Sequence, residues 1–309
     1  MAIPVSWRRA WALWLVLLSC TGISVGASGD PPETTFHTSV HEVRLTFSAV
    51  DRNHHGVATL QASDFAVVDK DIIVRSFQSF SRSERTKLDL AILIDTSESV
   101  TPRFHQEIDD MLALISQTAG VPDENLSIFS FRGEQPALLC AGDCRATHFA
   151  ADRLPAARAG GLTPLFDSII VASDFLSQHG DPHAQKVLIL FSDGEDTVSR
   201  NSLARAINAA LTGEIQIYSI DLNRPGSASQ GAAVLDRLSV VSGGRYFSTQ
   251  DGARRALNAL LEGLQATYTV SYRLPSAASG FHTVRILPTH NLNLEFRSRS
   301  GYFYPNRVR

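Results

Sequence analysis

The chain has 309 residues, with 28 Lys and Arg against 31 Asp and Glu and a hydrophobic fraction of 44%. This composition is typical of a globular protein with a packed core, and it excludes disordered and collagen-like chains. A net charge of -3 provides no basic field, which argues against nucleic acid as a partner.

The first 27 residues have the pattern of a secretion signal. Arg8 and Arg9 precede an apolar stretch at 10–18, which is too short to span a bilayer as a mature helix. Small residues at 25–27 favour ordinary cleavage, whereas residues 17–20 resemble the lipobox of bacterial lipoproteins, with Cys20 as a lipid anchor. Both cleavage sites stay open. Either one predicts an exported protein in the periplasm, in the envelope or outside the cell.

The remaining two cysteines, Cys140 and Cys144, lie four positions apart in Cys-Ala-Gly-Asp-Cys. An oxidising compartment allows them to form a local disulfide. A metal pair is the alternative, but no second Cys or His pair stands at ligand spacing nearby. We therefore predict the disulfide.

Segments of β type flank the centre of the chain. Residues 36–86 predict a small N-terminal β module, and residues 265–309 predict a C-terminal β segment with three alternating strands and a closing Gly-Tyr pair. Neither piece is large enough to be stable alone. We expect them to meet in one module into which the central domain is inserted, with two separate modules as the alternative.

Strands and helices alternate through residues 87–264. This alternation predicts a doubly wound, mostly parallel α/β sheet of the Rossmann-like kind, covered on both faces. The predicted strands are at 90–94, 126–131, 187–191, 215–220 and 245–248, and the predicted helices are at 101–120, 166–176, 202–211, 233–241 and 257–264.

Oxygen-bearing side chains follow the ends of the predicted strands. Asp95, Ser97 and Ser99 come after the first strand, Thr163 lies in a Gly-rich loop, and Asp193 follows the strand at 187–191. Ligands of open α/β sheets bind at the carboxyl ends of strands, and carboxylate and hydroxyl oxygens suit a hard cation such as Mg²⁺. Because only Asp95 and Asp193 are charged, an ion held here would keep an open position for an outside carboxylate.

Asp95-x-Ser97-x-Ser99, Thr163 and the Ser-Asp-Gly turn at Asp193 resemble the metal-ion-dependent adhesion site of von Willebrand factor type A domains. More narrowly, the segments 93–99, 191–196 and 242–247 resemble a bacterial VWFA-related group, in which a secretion signal and β segments flank the A domain. The resemblance spans about residues 40–305. It implies that the three hydroxyls bind the metal directly, that the two aspartates bind directly or through water, and that a protein partner's Asp or Glu takes the last position.

Glu98 departs from the family pattern, which often has Gly at this place. We expect its charge to raise the affinity for a cation and to disfavour an acidic ligand. Among the other acidic residues at these strand ends, we interpret Glu195 and Asp196 as a solvated rim. We interpret Asp221 as a residue that leads into a helix, with a role in supporting the metal ligands as the alternative.

These patterns favour a non-enzymatic, exported adhesion-type module that binds a protein partner through Mg²⁺, with Mn²⁺ and Ca²⁺ as alternative ions. One alternative is a Mg²⁺-dependent hydrolase or phosphoryl-transfer enzyme, although the sequence has neither a Gly-x-Ser-x-Gly elbow nor a phosphate-binding Gly-x-x-x-x-Gly-Lys loop. Another is a structural envelope component in which the metal only stiffens the loops.

Overall fold

The computed structural model divides the chain into two units, Met1–Ser39 and Val40–Arg309, and every residue that it describes belongs to the second. The described residues are 42–52, 56–57, 59–82, 87–100, 125–144, 161–223, 229–248, 253–265, 267–275 and 278–304. The predicted secretion signal, the lipid-anchor candidate Cys20 and the helix predicted at 101–120 lie outside them.

The strands of the described part form three sheets. In chain order they are β1 (Glu42–Val50), β2 (Phe65–Asp69), β3 (Ile72–Val74), β4 (Ser79–Arg82), β5 (Leu88–Asp95), β6 (Leu126–Arg132), β7 (Gln135–Ala141), β8 (Gln185–Ser192), β9 (Ile215–Asp221), β10 (Tyr246–Ser248), β11 (Thr267–Arg273), β12 (Gly280–Pro288), β13 (Glu295–Ser298) and β14 (Gly301–Tyr304). The helices of at least ten residues are α1 (Leu165–His179), α2 (Leu203–Thr212), α3 (Gln230–Ser242) and α4 (Ala253–Gln265).

The central sheet has the strand order β10-β9-β8-β5-β6-β7. All neighbouring pairs are parallel except β6 with β7, which is antiparallel. The predicted doubly wound, mostly parallel sheet is confirmed, and β7 is an antiparallel edge strand that the sequence pattern did not predict. A disulfide joins Cys140 on β7 to Cys144, with 5.2 Å between their Cα atoms.

Both faces of the central sheet are buried, because successive side chains of β5 point to opposite sides. Ala91 and Leu93 pack on the face that α1, α2 and α3 cover. Ile92 and Ile94 pack on the other face, where Leu260 of α4 belongs to the same core. This explains the unbroken apolar run that precedes Asp95, since a strand covered on both faces has no polar side.

The two flanking β segments pair with each other. One sheet has the order β13-β1-β11-β4 and the other has β14-β12-β2-β3, so each sheet combines strands from both ends of the chain. β1 and β11 are antiparallel, with Glu42 opposite Arg273. Large side chains such as Phe47, Phe65 and Tyr268 fill the shared core, and the burial of each contributes about 1.5–3 kcal/mol.

A polar cluster lies inside this β module. The carboxylate of Asp69 accepts hydrogen bonds from Tyr272 at 2.9 Å and from Tyr302 at 2.7 Å, both at Oδ2. Its Oδ1 lies 3.1 Å from Nδ1 of His282, whose Nε2 lies 2.6 Å from the carbonyl oxygen of Ala278. Both ring nitrogens of His282 therefore face acceptors, and the buried carboxylate is surrounded by donors.

No helix in the described ranges is both long enough and apolar enough to cross a membrane.

Candidate metal centre

The ends of β5, β8 and β9 bring three aspartates to one edge of the central sheet. β5 ends at Asp95, β8 ends one residue before Asp193, and β9 ends at Asp221. The strands are parallel neighbours, with Ile94 opposite Phe191 and Ser192 opposite Asp221. This edge is where the sequence predicted the ligands to converge.

Asp95 is completely buried at the end of β5. Its Oδ1 accepts a hydrogen bond from the Ser97 amide at 2.9 Å, and its Oδ2 accepts one from the Ser192 hydroxyl at 2.7 Å. Burial raises the pKa of Asp95 to about 7, the charge of Asp193 adds to the rise, and the hydrogen bonds from Ser97 and Ser192 oppose it. Asp193 directly follows Ser192, so the carboxylates of Asp95 and Asp193 lie at the same edge of the sheet.

The two serines of the Asp95 turn lie together. The Ser97 and Ser99 hydroxyl oxygens are 3.1 Å apart, with Ser97 buried and Ser99 exposed. Thr96 fixes the turn to β6, because its amide and its hydroxyl both donate to the Phe131 carbonyl oxygen. The hydroxyls of both serines therefore lie close to the end of β5, beside Asp95.

Thr163 is tied to the loop that follows Asp193. The Thr163 amide donates to the Thr197 hydroxyl at 2.7 Å, and the Thr197 amide donates to the Thr163 carbonyl oxygen at 2.9 Å. Thr163 itself is 3% exposed. Two stretches that are 34 residues apart in sequence are thus held side by side at the sheet edge.

Asp196 is not the solvated rim residue that the sequence suggested. Its Oδ1 accepts a hydrogen bond from the Phe166 amide at 3.2 Å and another from the Ser199 hydroxyl. Phe166 lies in the first turn of α1, whose free amides need acceptors. Asp196 therefore caps α1 from a distant loop, whereas Glu195 is exposed, as expected.

Asp221 is not the residue that opens α3, which begins at Gln230 and is capped by Ser229. The Asp221 carboxylate instead accepts hydrogen bonds from Asn223, at its amide and its side chain, and from the Tyr246 hydroxyl. Asn223 also donates to the Asp193 carbonyl oxygen. Sequence reasoning missed Asn223, although Asp221-x-Asn223 after a buried strand repeats the spacing of Asp95-x-Ser97.

The predicted donors fit a hard divalent cation. They combine two carboxylates with three hydroxyls, and none of the described Lys, Arg or His side chains forms an ion pair with Asp95. A cation would relieve both the burial of Asp95 and its repulsion by Asp193. Within the described ranges no group of three or more His, Cys, Asp and Glu could hold a metal, so any such site here depends on the hydroxyls.

The fold is a mostly parallel α/β sheet. Its carboxylate and hydroxyl oxygens lie at the carboxyl ends of the central strands, which is where open α/β folds bind their ligands. Residues 90–195, about a third of the chain, match the von Willebrand factor type A domain family. The chain therefore contains a von Willebrand factor type A domain. No curated protein matches the sequence.

Solved structures resemble the chain at low identity. An aerotolerance-related membrane protein from Bacteroides fragilis is 13% identical over 58% of this chain and 98% of that chain, with a TM-score of 0.41. The PilB minor pilin from Streptococcus sanguinis is 13% identical over 59% and 62%, with a TM-score of 0.44. Proximal thread matrix protein 1 from the mussel byssus, with a zinc-occupied MIDAS motif, is 17% identical over 57% and 46%, with a TM-score of 0.40.

Proposed function

We propose that the chain is an exported, non-enzymatic binding module that holds Mg²⁺, or alternatively Mn²⁺ or Ca²⁺, at the carboxyl edge of its central sheet. The proposed ligands are Asp95, Ser97, Ser99, Thr163 and Asp193, and the proposed partner is a protein that contributes an Asp or Glu. One observation carries the proposal: the buried Asp95 accepts a hydrogen bond from Ser192, the neighbour of Asp193, beside two serine hydroxyls 3.1 Å apart.

The donor set leaves a coordination position for an acidic partner. Two carboxylates balance the charge of a divalent cation, and the three hydroxyls add none. A bound Mg²⁺ supplies a Lewis-acidic centre that can accept one further oxygen. The surrounding residues do the remaining work: Ser192 and the Ser97 amide orient Asp95, and Thr197 holds Thr163 next to the loop of Asp193.

Export, with either ordinary cleavage after residues 25–27 or a lipid anchor at Cys20, belongs to the proposal on the strength of the N-terminal sequence pattern alone. Neither changes what the sheet edge can bind.

A pull-down from the native envelope fraction tests the function. Wild type should capture a partner in Mg²⁺ and lose it in EDTA, and Ser97→Ala and Asp95→Ala should lose it in both. Ser177→Ala is the matched control, because Ser177 lies near the C-terminal end of α1 and its hydroxyl donates to the Ser173 carbonyl oxygen of the same helix.

Other outcomes would overturn the proposal. Capture that is indifferent to EDTA and to Ser97→Ala contradicts a metal-dependent interaction. Partner binding that persists while EDTA lowers the melting temperature favours the structural role. Mg²⁺-dependent turnover in a phosphatase and esterase panel favours the enzyme.

A further inference from the structure

The segment that follows β9 contacts the backbone of the Asp193 turn. The Asn223 side chain donates a hydrogen bond to the Asp193 carbonyl oxygen at 2.7 Å. One residue earlier, the Leu222 amide donates to the Ser192 carbonyl oxygen at 3.0 Å. Two successive carbonyl groups at the end of β8 are thus anchored by the neighbouring strand.

Asn223 is itself held in place. Its amide and its side-chain nitrogen donate to Asp221 Oδ1 at 2.8 and 2.7 Å, and the Tyr246 hydroxyl donates to Asp221 Oδ2. Asp221 is 5% exposed. Asp221 Oδ1 accepts both hydrogen bonds from Asn223 and Oδ2 accepts the one from Tyr246, so Asp221 supports Asn223.

The first turn of α3 touches the same turn from another direction. A Cβ atom added to Gly231 would lie 2.1 Å from the Asp193 carbonyl oxygen, and one added to Gly194 would lie 2.2 Å from the Gly231 carbonyl oxygen. Gly194 also has a φ of +80°, which disfavours residues with a side chain. Backbone contacts backbone here, and no other residue type fits without displacing the turn.

Together these contacts leave the Asp193 carboxylate little choice of direction. The carbonyl of Asp193 is bound, the next residue is confined between two segments, and Oδ1 accepts a hydrogen bond from the Glu195 amide at 3.0 Å. We propose that Asn223, supported by Asp221 and Tyr246, and Gly231 are positioning residues that aim Asp193 at the cation. This inference rests on the proposed metal site. It adds the end of β9 and the first turn of α3 as elements that position a ligand without supplying one.

Metal affinity tests the proposal. Mn²⁺ is titrated into purified wild type, Asn223→Ala and Gly231→Ala by calorimetry, with Asn201→Ala and Gly263→Ala as matched controls. Asn201 donates to Asp167 rather than to Asp193, and a Cβ on Gly263 would meet no atom within 4 Å. The two test variants should weaken the dissociation constant by about 10- to 100-fold, the range typical of groups that orient metal ligands. The controls should match wild type.

A second measurement is independent of metal. In EDTA, hydrogen exchange at the Gly194 and Glu195 amides should speed up in Asn223→Ala and stay at the wild-type rate in Asn201→Ala. Wild-type metal affinity in both test variants, or unchanged exchange at both amides in Asn223→Ala, overturns the positioning role. If wild type itself binds no Mn²⁺, the proposed metal site fails, and the exchange rates still decide whether Asn223 holds the turn.

Discussion

Asp69 in the β module and Asp95 in the α/β domain are both completely buried, yet their surroundings differ in kind. Asp69 faces two tyrosine hydroxyls and a histidine, which supply every donor that its carboxylate needs. Asp95 accepts hydrogen bonds from one amide and from the hydroxyls of Ser97 and Ser192, and a second carboxylate, Asp193, lies at the same strand end. The difference teaches that a buried charge with internal donors holds a fold together, whereas one beside another carboxylate is suited to an external cation.

The largest effect is expected from Asp69→Ala. Removal of the carboxylate leaves His282 and two tyrosine hydroxyls buried without their acceptor, so the free energy of unfolding should fall by about 3–5 kcal/mol. Urea denaturation measures the loss, and Mn²⁺ affinity should stay at the wild-type value. A change in the free energy of unfolding below about 1 kcal/mol would mean that the polar cluster around Asp69 does not hold the strands of the β module together.

Asp95→Asn should lower the affinity for metal and leave the stability of the metal-free protein intact. We expect Mn²⁺ affinity to fall at least 100-fold, about 2.7 kcal/mol, because a main negative ligand is lost. In EDTA at pH 8 the variant should be as stable as wild type or more stable. The reason is that the raised pKa of Asp95 makes its ionised form costly in the folded state above pH 7. A less stable variant in EDTA contradicts this comparison.

Alkaline pH should destabilise the β module through Tyr272 and Tyr302, in addition to an effect of Tyr218 and Tyr246 in the α/β domain, where burial also raises the pKa. Burial, with the neighbouring Asp69, raises the pKa of Tyr272 and of Tyr302 above the ordinary value. Above pH 10 the unfolded chain loses these protons and the folded chain keeps them, so stability is full below pH 10 and falls as pH rises further. The slope should reach about 1.4 kcal/mol per pH unit for each tyrosine. Urea denaturation from pH 9 to 11 measures it, and Tyr272→Phe should reduce the slope.

The smallest effect is expected from Glu98, which is exposed beside the Asp95 turn. Glu98→Gln removes only its charge, and Glu98→Gly also restores the residue that the family often has. Each should weaken Mn²⁺ binding by less than tenfold, because exposed charges interact weakly in water. High salt should abolish the difference between Glu98→Gln and wild type. A Gly variant weaker than the Gln variant would point to the backbone rather than to the charge.

The sequence predicted the parts of the fold that depend on local pattern. The apolar run before Asp95 and the helical spacing in α1 and α2 indicated their elements because burial on a sheet or helix face imposes those periods. The antiparallel strand β7 was missed, since Gln135–Ala141 has half of its residues exposed and does not alternate. Strand ends predicted where Asp95 and Asp193 would lie, but whether they bind metal stays a prediction.

Contacts between distant residues could not be predicted from one sequence. Asp196 caps α1 across 30 positions, and His282 meets Asp69 across 213. The sequence around Asp196 or Asp69 does not indicate the hydrogen-bond partner, because each hydrogen bond depends on how separate elements pack. Asn223 is the exception, since its Asp-x-Asn turn after a buried strand was a visible signal.

The pairing of β1 with β11 sets an order of assembly. β1 can pair with β11 only after Arg273, the partner of Glu42, has been synthesised. The strands of the central sheet lie between β1 and β11 in the chain and are therefore synthesised earlier. Contacts of such long range form slowly. The central domain can therefore fold first, and the β module closes only when the last strands emerge, so a chain interrupted before Gly301–Tyr304 would keep its sheet edge but lack a completed sandwich.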